Sequence, residues 1–266
     1  MPNHTIFNER PESQDRALKV IEKLGYTIVP RSEAEEKRGS RRAVLFEKEL
    51  QTYLSRQTYP YNGERRFFSG GSIAAAVRAV DLQSAAGLYA ANKECYDLLC
   101  SGKSLEETLP DGTRQSFDIS FIDFEHPENN ILQVTDEFEV ERPNGKFVRP
   151  DLVVLVNGIP LVVIECKKSS VDVMEGVAQN IRNWGNDYIP QLFQYSQLVI
   201  AVNPDKVLYG TCGTASKYFV SWHEDDKEWL DGWCRKCSPD GSIKEQDRAL
   251  ISLLHPERLL DIIRNF

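Results

Sequence analysis

The sequence predicts an α/β fold in which a mixed β-sheet is flanked by helices, with helical extensions at both ends. Residues 12–24 and 44–56 space their apolar side chains at the interval of a helix. From residue 116 to 156 the apolar residues instead alternate or form short β-branched blocks, which is typical of strands. Helical spacing returns from about residue 243 to residue 266.

The N-terminal part, residues 1–110, is predicted to be mainly helical and to pack on the core. Its first helix covers 12–24 and ends at Gly25, because glycine commonly terminates a helix. Residues 72–100 are predicted to form one or two further helices. The charged stretch from Arg31 to Arg42 lacks apolar periodicity and is predicted to be an exposed loop.

The predicted core spans residues 111–222, and a helical extension follows over 223–266. The core strands are FDISFIDF (117–124), ILQVTDEFEV (131–140), LVVLV (152–156), LVVIEC (161–166), QLVIAV (197–202) and VLYG (207–210), with one helix over 172–184.

Composition limits the classes of function. The net charge of −8 argues against an autonomous DNA-binding domain, which usually has a basic excess, but fits carboxylates that bind a cation. No apolar run is long enough to span a membrane. The N-terminus lacks the apolar stretch of a secretory signal, so we expect a cytoplasmic protein.

The cysteines do not predict a disulfide framework or a zinc site. Six cysteines in 266 residues are too few for the former. Cys234 and Cys237 form a single CxxC, whereas structural zinc usually needs four ligands. Two ordinary thiols near a turn are the preferred interpretation, although their role stays open.

Charged residues stand at the ends of two strands that are otherwise apolar. Asp151 begins one strand, and Glu165 and Lys167 end the other, with Asn157-Gly158 as the hairpin turn between them. The apolar residues do not alternate, so both faces of these strands should be covered. An ion pair at a strand end is the simpler alternative, but the buried strands favour a functional site.

The register decides whether the two carboxylates meet. A regular two-residue turn at Asn157-Gly158 would place Asp151 opposite Ile164 and turn Glu165 to the other face. A three-residue loop or a β-bulge would place Asp151 opposite Glu165, with Lys167 on the same face. We therefore predict an odd loop or a bulge.

Two facing carboxylates repel each other unless a cation lies between them. Oxygen ligands of this kind suit Mg²⁺, for which Asp151, Glu165 and the backbone carbonyl of Cys166 are the candidate ligands. The ion would stabilise charge on a phosphate and acidify a water, while Lys167 could stabilise the transition state.

The stretch RPDLVVLVNGIPLVVIECKK, with its flanks over most of residues 110–222, resembles the N-terminal part of the restriction (R) subunit of type I restriction-modification enzymes. The resemblance implies a PD-(D/E)xK nuclease with Asp151, Glu165 and Lys167 as catalytic residues. It implies double-stranded DNA as substrate, and methylation and specificity subunits as partners.

The family's QxxxY motif is incomplete, because Gln179 is followed by Asn183 at the tyrosine position. Gln179 and Arg182 share a helix face and could contact a DNA phosphate, or could simply be a solvated face. The basic doublets Arg41-Arg42 and Arg65-Arg66 are weaker candidates for DNA contact.

The R subunit of that family continues into an ATP-driven translocase, but this sequence contains no phosphate-binding GxxxxGK[ST] loop. ATP should therefore not bind here, and the abrupt end at Phe266 fits a chain cut from something longer.

Two functions are alternatives to a nuclease module of an R subunit: a stand-alone repair or recombination nuclease, and an inactive docking module. The roles of Glu12, Glu47 and Glu49 stay open.

Overall fold

The structure is a computed structural model that describes residues 12–81 and 87–265. Its helices in that part of the chain are α1 (Glu12–Lys23), α2 (Arg31–Arg38), α3 (Glu47–Leu54), α4 (Gly70–Val80), α5 (Leu88–Ser101), α6 (Val173–Asn183), α7 (Pro190–Phe193), α8 (Lys227–Cys237), α9 (Glu245–Leu254) and α10 (Pro256–Asn265). Its strands there are β1 (Thr27–Val29), β2 (Thr58–Tyr61), β3 (Glu64–Phe67), β4 (Lys103–Thr108), β5 (Arg114–Ile119), β6 (Leu132–Asp136), β7 (Val140–Glu141), β8 (Phe147–Val148), β9 (Leu152–Val156), β10 (Ile159–Cys166), β11 (Leu198–Asn203) and β12 (Lys206–Gly210).

A six-stranded mixed sheet in the order β1-β6-β9-β10-β11-β12 organises the fold. The β1–β6 and β10–β11 pairs are parallel, and the other neighbouring pairs are antiparallel. The connection from β10 to β11 contains α6, as a parallel pair requires a crossover. The mixed α/β sheet predicted from the sequence is therefore confirmed.

The two central strands are covered on both faces. Every residue of β9 and β10 is buried. Helix α6 packs on β10 and β11 through its apolar face, which includes Val173 and Val177. The prediction that both faces of these strands are covered is confirmed.

The region from Arg31 to Arg42 was expected to be an exposed loop, and that prediction is wrong for Arg31–Arg38, which form α2. Gly39 ends this helix in a left-handed conformation at φ 67°, and residues 39–42 are exposed and not helical, as predicted. The helix lacks an apolar stripe because it buries only Ala34 and Arg38. The Arg38 guanidinium donates to the Glu139 carbonyl at 2.9 Å and lies 4.0 Å from the ring centre of Phe138, so an arginine occupies the core-facing position.

Residues before 110 also supply strands as well as helices. Strand β1 forms one edge of the main sheet, and β2 pairs with β3 in a separate hairpin. Strand β4 pairs with β5, which ends at Ile119 rather than continuing to residue 124 as expected. The predicted strand 131–140 is interrupted after β6 by Glu137, whose φ is 50°.

The C-terminal helices pack back onto the N-terminal one. The buried Asp247 of α9 accepts from Arg16 of α1 at 2.7 Å, and Asp240 accepts from the same guanidinium at 2.9 Å. Cys234 and Cys237 lie inside α8, in its last turn, and burial raises the pKa of both thiols. In the described ranges, no helix has the length and apolar character needed to cross a membrane.

Candidate active site

A β-bulge in β10 sets the geometry of the site. Near the turn, Val156 pairs with Ile159 and Leu155 with Pro160, but beyond Leu161 the ladder resumes one position later, with Ile164 opposite Leu152. Extending that register places Glu165 opposite Asp151. The predicted bulge is confirmed, and it brings both carboxylates to one face and one end of the sheet.

Asp151 lies immediately before β9, with its carboxylate turned toward the end of β10. Its Oδ2 accepts a hydrogen bond from the backbone N–H of Cys166 at 2.6 Å. Burial raises the pKa of Asp151, and this N–H lowers it in part by stabilising the ionised form. The Cys166 amide therefore helps to hold the carboxylate against the strand end.

Glu165 is a carboxyl group with no exposure to solvent. Burial raises its pKa well above the usual value, and the neighbouring charge of Asp151 raises it further. The positive charges of Lys167 and Arg182 act in the opposite direction. A cation that binds between these two carboxylates would stabilise their ionised forms. Its opposite charge offsets both the cost of burial and the repulsion between the two acids.

Gln179 links Glu165 and Lys167 through its two amide atoms. Its Nε2 donates to Glu165 Oε2 at 2.6 Å, and its Oε1 accepts from Lys167 Nζ, also at 2.6 Å. The amide orientation follows from the partners, because a carboxylate can only accept and an ammonium can only donate. Lys167 Nζ lies 3.9 Å from Glu165 Oε2, so the three side chains form one contiguous group.

Helix α6 carries Gln179 close to the strands because a glycine lies at the contact. A Cβ added at Gly176 would lie 3.1 Å from Ala201 Cβ and 3.6 Å from Lys167 Cε. One turn beyond Gln179, Asn183 donates a long 3.4 Å hydrogen bond to Glu165 Oε1. The residue at the expected tyrosine position therefore contacts Glu165 rather than solvent.

Helix α1 contributes residues that sequence reasoning missed. The hydroxyl of Ser13 donates to the Lys167 carbonyl at 2.7 Å, and Gln14 Nε2 donates to the Asp151 carbonyl at 3.1 Å. Gln246 of α9 is fully buried and donates to the Ser13 carbonyl at 2.6 Å. Both strand ends are thus fixed by a helix distant in sequence, and no local motif in the sequence indicates these contacts.

The three glutamates left open by the sequence lie in different places. Glu12 begins α1 near the site, but its side chain is 82% exposed and pairs with Lys244. Glu47 and Glu49 belong to α3, which meets the opposite end of the sheet, where the Phe46 amide donates to the Gly158 carbonyl. Glu47 and Glu49 are therefore remote from Asp151 and Glu165.

The arginines considered for DNA contact differ in the side chains that they contact. Arg41 pairs with Glu35 and Glu139, and Arg42 pairs with Glu141. The side chain of Arg65 donates to Thr58 within its own hairpin. Arg182 is exposed on α6, and its guanidinium lies 5.5 Å from the ring centre of Tyr188.

The side chains at this site that could hold a metal ion are the carboxylates of Asp151 and Glu165. Across residues 12–81 and 87–265, no group of three or more histidine, cysteine, aspartate or glutamate side chains is placed to hold an ion. A cation that retains several waters needs only one or two protein carboxylates. The donors present, Asp151 and Glu165, fit Mg²⁺ by this criterion.

Comparison with known proteins assigns the sequence to a family. The profile described as "Type I restriction enzyme R protein N terminus" matches residues 6–218. The putative type I restriction enzyme MjaIXP endonuclease subunit of Methanocaldococcus jannaschii is 30% identical over 184 residues, which cover 64% of this chain and 17% of that protein.

Two further relatives carry similar descriptions. The type I restriction enzyme HindI endonuclease subunit of Haemophilus influenzae is 27% identical over 98% of this chain and 24% of its own length. The EcoprrI endonuclease subunit of Escherichia coli is 30% identical over 52% of this chain and 41% of its own length. This chain thus spans less than half the length of each of these relatives.

Proposed function

Because the chain belongs to the family of type I restriction enzyme R protein N-terminal regions, we propose that it is a metal-dependent DNA endonuclease module. The observation that carries this proposal is the close approach of the buried Glu165 carboxylate and the partly buried Asp151 carboxylate, with Lys167 beside them. Burying like charges together costs free energy, and a purely structural role gives no compensation for that cost.

We assign the core to the PD-(D/E)xK nuclease fold. The supporting features are the mixed sheet, the Asp151 strand next to the bulged β10, and Glu165 and Lys167 two positions apart at its end. Helix α6 then returns along the same strands and contributes Gln179.

Mg²⁺ is the proposed cofactor, held by Asp151, Glu165 and the Cys166 carbonyl. When bound, the ion would neutralise charge that develops on the scissile phosphate and would promote ionisation of an attacking water. Ca²⁺ should bind the same oxygen ligands without supporting cleavage.

The side chains of the chain itself have separate roles in this proposal. Lys167 places a positive charge where a phosphate oxygen becomes more negative, which stabilises the transition state more than the substrate. Gln179 holds that ammonium and Glu165 in fixed relation. The Cys166 amide orients the Asp151 carboxylate and favours its ionised form, which partly offsets the effect of burial.

The full protein would act with partners. We propose double-stranded DNA as substrate, and methylation and specificity subunits as the components that select the site. ATP would be needed only by a translocase elsewhere in the R subunit. A stand-alone repair nuclease is less favoured, because the family match covers most of the chain.

A plasmid-cutting assay of the full-length assembly tests the proposal. Wild type should linearise plasmid DNA in Mg²⁺ and ATP, and Asp151→Ala should not, while both should assemble with the partner subunits and hydrolyse ATP. Equal cutting by the two proteins would favour the inactive docking module.

A further inference from the structure

Two arginines from different elements share one aromatic ring beside the candidate active site. Arg142 follows β7, and its guanidinium lies 4.1 Å from the ring centre of Tyr188. Arg182 of α6 approaches the same ring at 5.5 Å. Tyr188 lies in the segment between α6 and α7, so this group joins the β7–β8 hairpin to the helix that carries Gln179.

The group is held in place by polar contacts of the hairpin. Arg142 Nε donates to the Asp187 carbonyl at 2.8 Å, and its backbone amide donates to the Lys146 carbonyl at 2.7 Å. Gln191 Nε2 donates to the Glu141 carbonyl at 2.8 Å from the other side. The position of the Arg142 guanidinium is therefore determined by two elements and not by the hairpin alone.

These two guanidinium groups differ from neighbouring arginines in their partners. Arg31, Arg41 and Arg149 each pair with glutamate side chains. Arg142 and Arg182, by contrast, make no ion pair with a carboxylate anywhere in 12–81 and 87–265. In a chain of net charge −8, two adjacent cations that form no ion pair leave charge available to an anion from outside.

The position of the Arg142 guanidinium over the ring leaves the atoms that bind such an anion available. An arginine that stacks on an aromatic ring keeps its in-plane N–H groups available for a phosphate. Arg142 uses only Nε in the contact with Asp187, so its terminal nitrogens stay available. The group also lies near the carboxylates, because Arg182 is followed in α6 by Asn183, whose side chain contacts Glu165.

We propose that Arg142, Tyr188 and Arg182 form a binding site for the phosphodiester backbone of duplex DNA, next to the phosphate that is cut. This inference rests on the proposed nuclease function and adds the place where the DNA backbone would be bound. Two unpaired cations at one ring would anchor the strand, so that the neighbouring phosphate reaches Asp151 and Glu165. Contacts of this kind position DNA without reading its sequence.

The test measures binding separately from cutting. A fluorescent duplex of unrelated sequence is titrated with this chain in the absence of divalent ions, over a range of salt concentrations. Arg142→Gln should weaken binding by about five- to tenfold at 0.1 M salt and reduce the salt slope by about 0.9, as expected for the loss of one phosphate contact. Arg142→Lys should keep the salt slope.

The matched control is Arg235→Gln, on an exposed arginine in the last turn of α8. It makes the same change of charge and should bind like wild type. Equal weakening in Arg142→Gln and Arg235→Gln, or no weakening in either, overturns the proposal. If Arg142→Gln lowers the melting temperature, Arg182→Gln provides the same test, because it leaves the contact to Asp187 in place.

The outcome is distinguishable from a failure of the nuclease proposal. If the wild-type assembly does not cut DNA but Arg142→Gln still loses affinity and salt slope, the nuclease proposal fails and the binding site stands. If the wild type cuts and Arg142→Gln binds and cuts with unchanged KM and kcat, the binding site is refuted and the nuclease proposal stands.

Discussion

The hydroxyl of Ser13 donates a 2.7 Å hydrogen bond to the backbone carbonyl of Lys167, across 154 positions of the chain. The contact ties the start of α1 to the end of β10. Removing it as Ser13→Ala should cost about 1 kcal/mol of stability, the usual contribution of one such bond, and lower the melting temperature by roughly 2–4 °C. It should also lower kcat for cutting about tenfold, because the strand end that carries Lys167 loses its support.

A control for this change is Ser55→Ala, whose hydroxyl donates to a carbonyl of its own helix and is exposed. This variant should cut at the wild-type rate. A Ser13→Ala protein that melts lower but cuts with unchanged kcat would show that the contact serves stability only.

Gln179→Leu should remove the hydrogen-bonded link between Glu165 and Lys167. It removes both 2.6 Å hydrogen bonds and leaves the carboxylate and the ammonium without the group between them. We expect kcat to fall by at least tenfold and the Mg²⁺ concentration at half-maximal activity to rise. Glu175→Gln, an exposed change on the same helix, should alter neither quantity.

The raised pKa of Glu165 predicts a pH-dependent penalty on the metal-free fold. A folded-state pKa above the unfolded value means that the native state binds more protons at intermediate pH. The contribution of Glu165 to stability should therefore be fully present below the unfolded pKa of about 4.3 and be lost as pH rises through the folded pKa. Glu165→Gln removes the ionisable group and should melt higher than wild type at pH 7 without divalent ions.

Mg²⁺ should reverse the order of the melting temperatures of wild type and Glu165→Gln. Ten millimolar Mg²⁺ should raise the melting temperature of wild type, because binding to the native state stabilises it, and should leave Glu165→Gln nearly unchanged. Differential scanning fluorimetry with and without the ion gives both values. Identical Mg²⁺ shifts in the two proteins would exclude Glu165 as a ligand.

Lys167→Ala should abolish most DNA cutting without much change in the stability of the fold. The lysine is at the edge of the site, with its side chain 17% exposed, and the apolar residues of β9 and β10 hold the fold without it. We expect cutting to fall at least about a hundredfold through loss of transition-state stabilisation. The melting temperature should change little, and ATP hydrolysis by the assembly should continue.

Lys206→Ala, on an exposed lysine that begins β12, is the comparison. It should leave cutting unchanged. Wild-type cutting by Lys167→Ala would reduce Lys167 to an ion-pair partner of Glu165, whereas a large drop in its melting temperature would favour a structural role.

The buried strands that carry the site were predictable from the sequence, but the contacts between residues distant in the chain were not. The apolar blocks around Asp151 and Glu165 identify β9 and β10, and the need for the carboxylates to meet predicts the bulge. The roles of Ser13 and Gln246 depend on where α1 and α9 pack, which periodicity does not specify. The α2 helix was missed because it uses Arg38 where most helices use an apolar residue.

The bulge at Leu161 has a consequence for how the distance between Asp151 and Glu165 can change in evolution. Side chains alternate along a strand, so inserting or deleting one residue between them would present Ile164 or Cys166 in place of Glu165. Inserting or deleting two residues would restore the arrangement. Among relatives, we therefore expect the separation of these carboxylates to vary in even steps, and odd steps to occur only where a bulge is gained or lost or where the turn changes between an even and an odd number of residues.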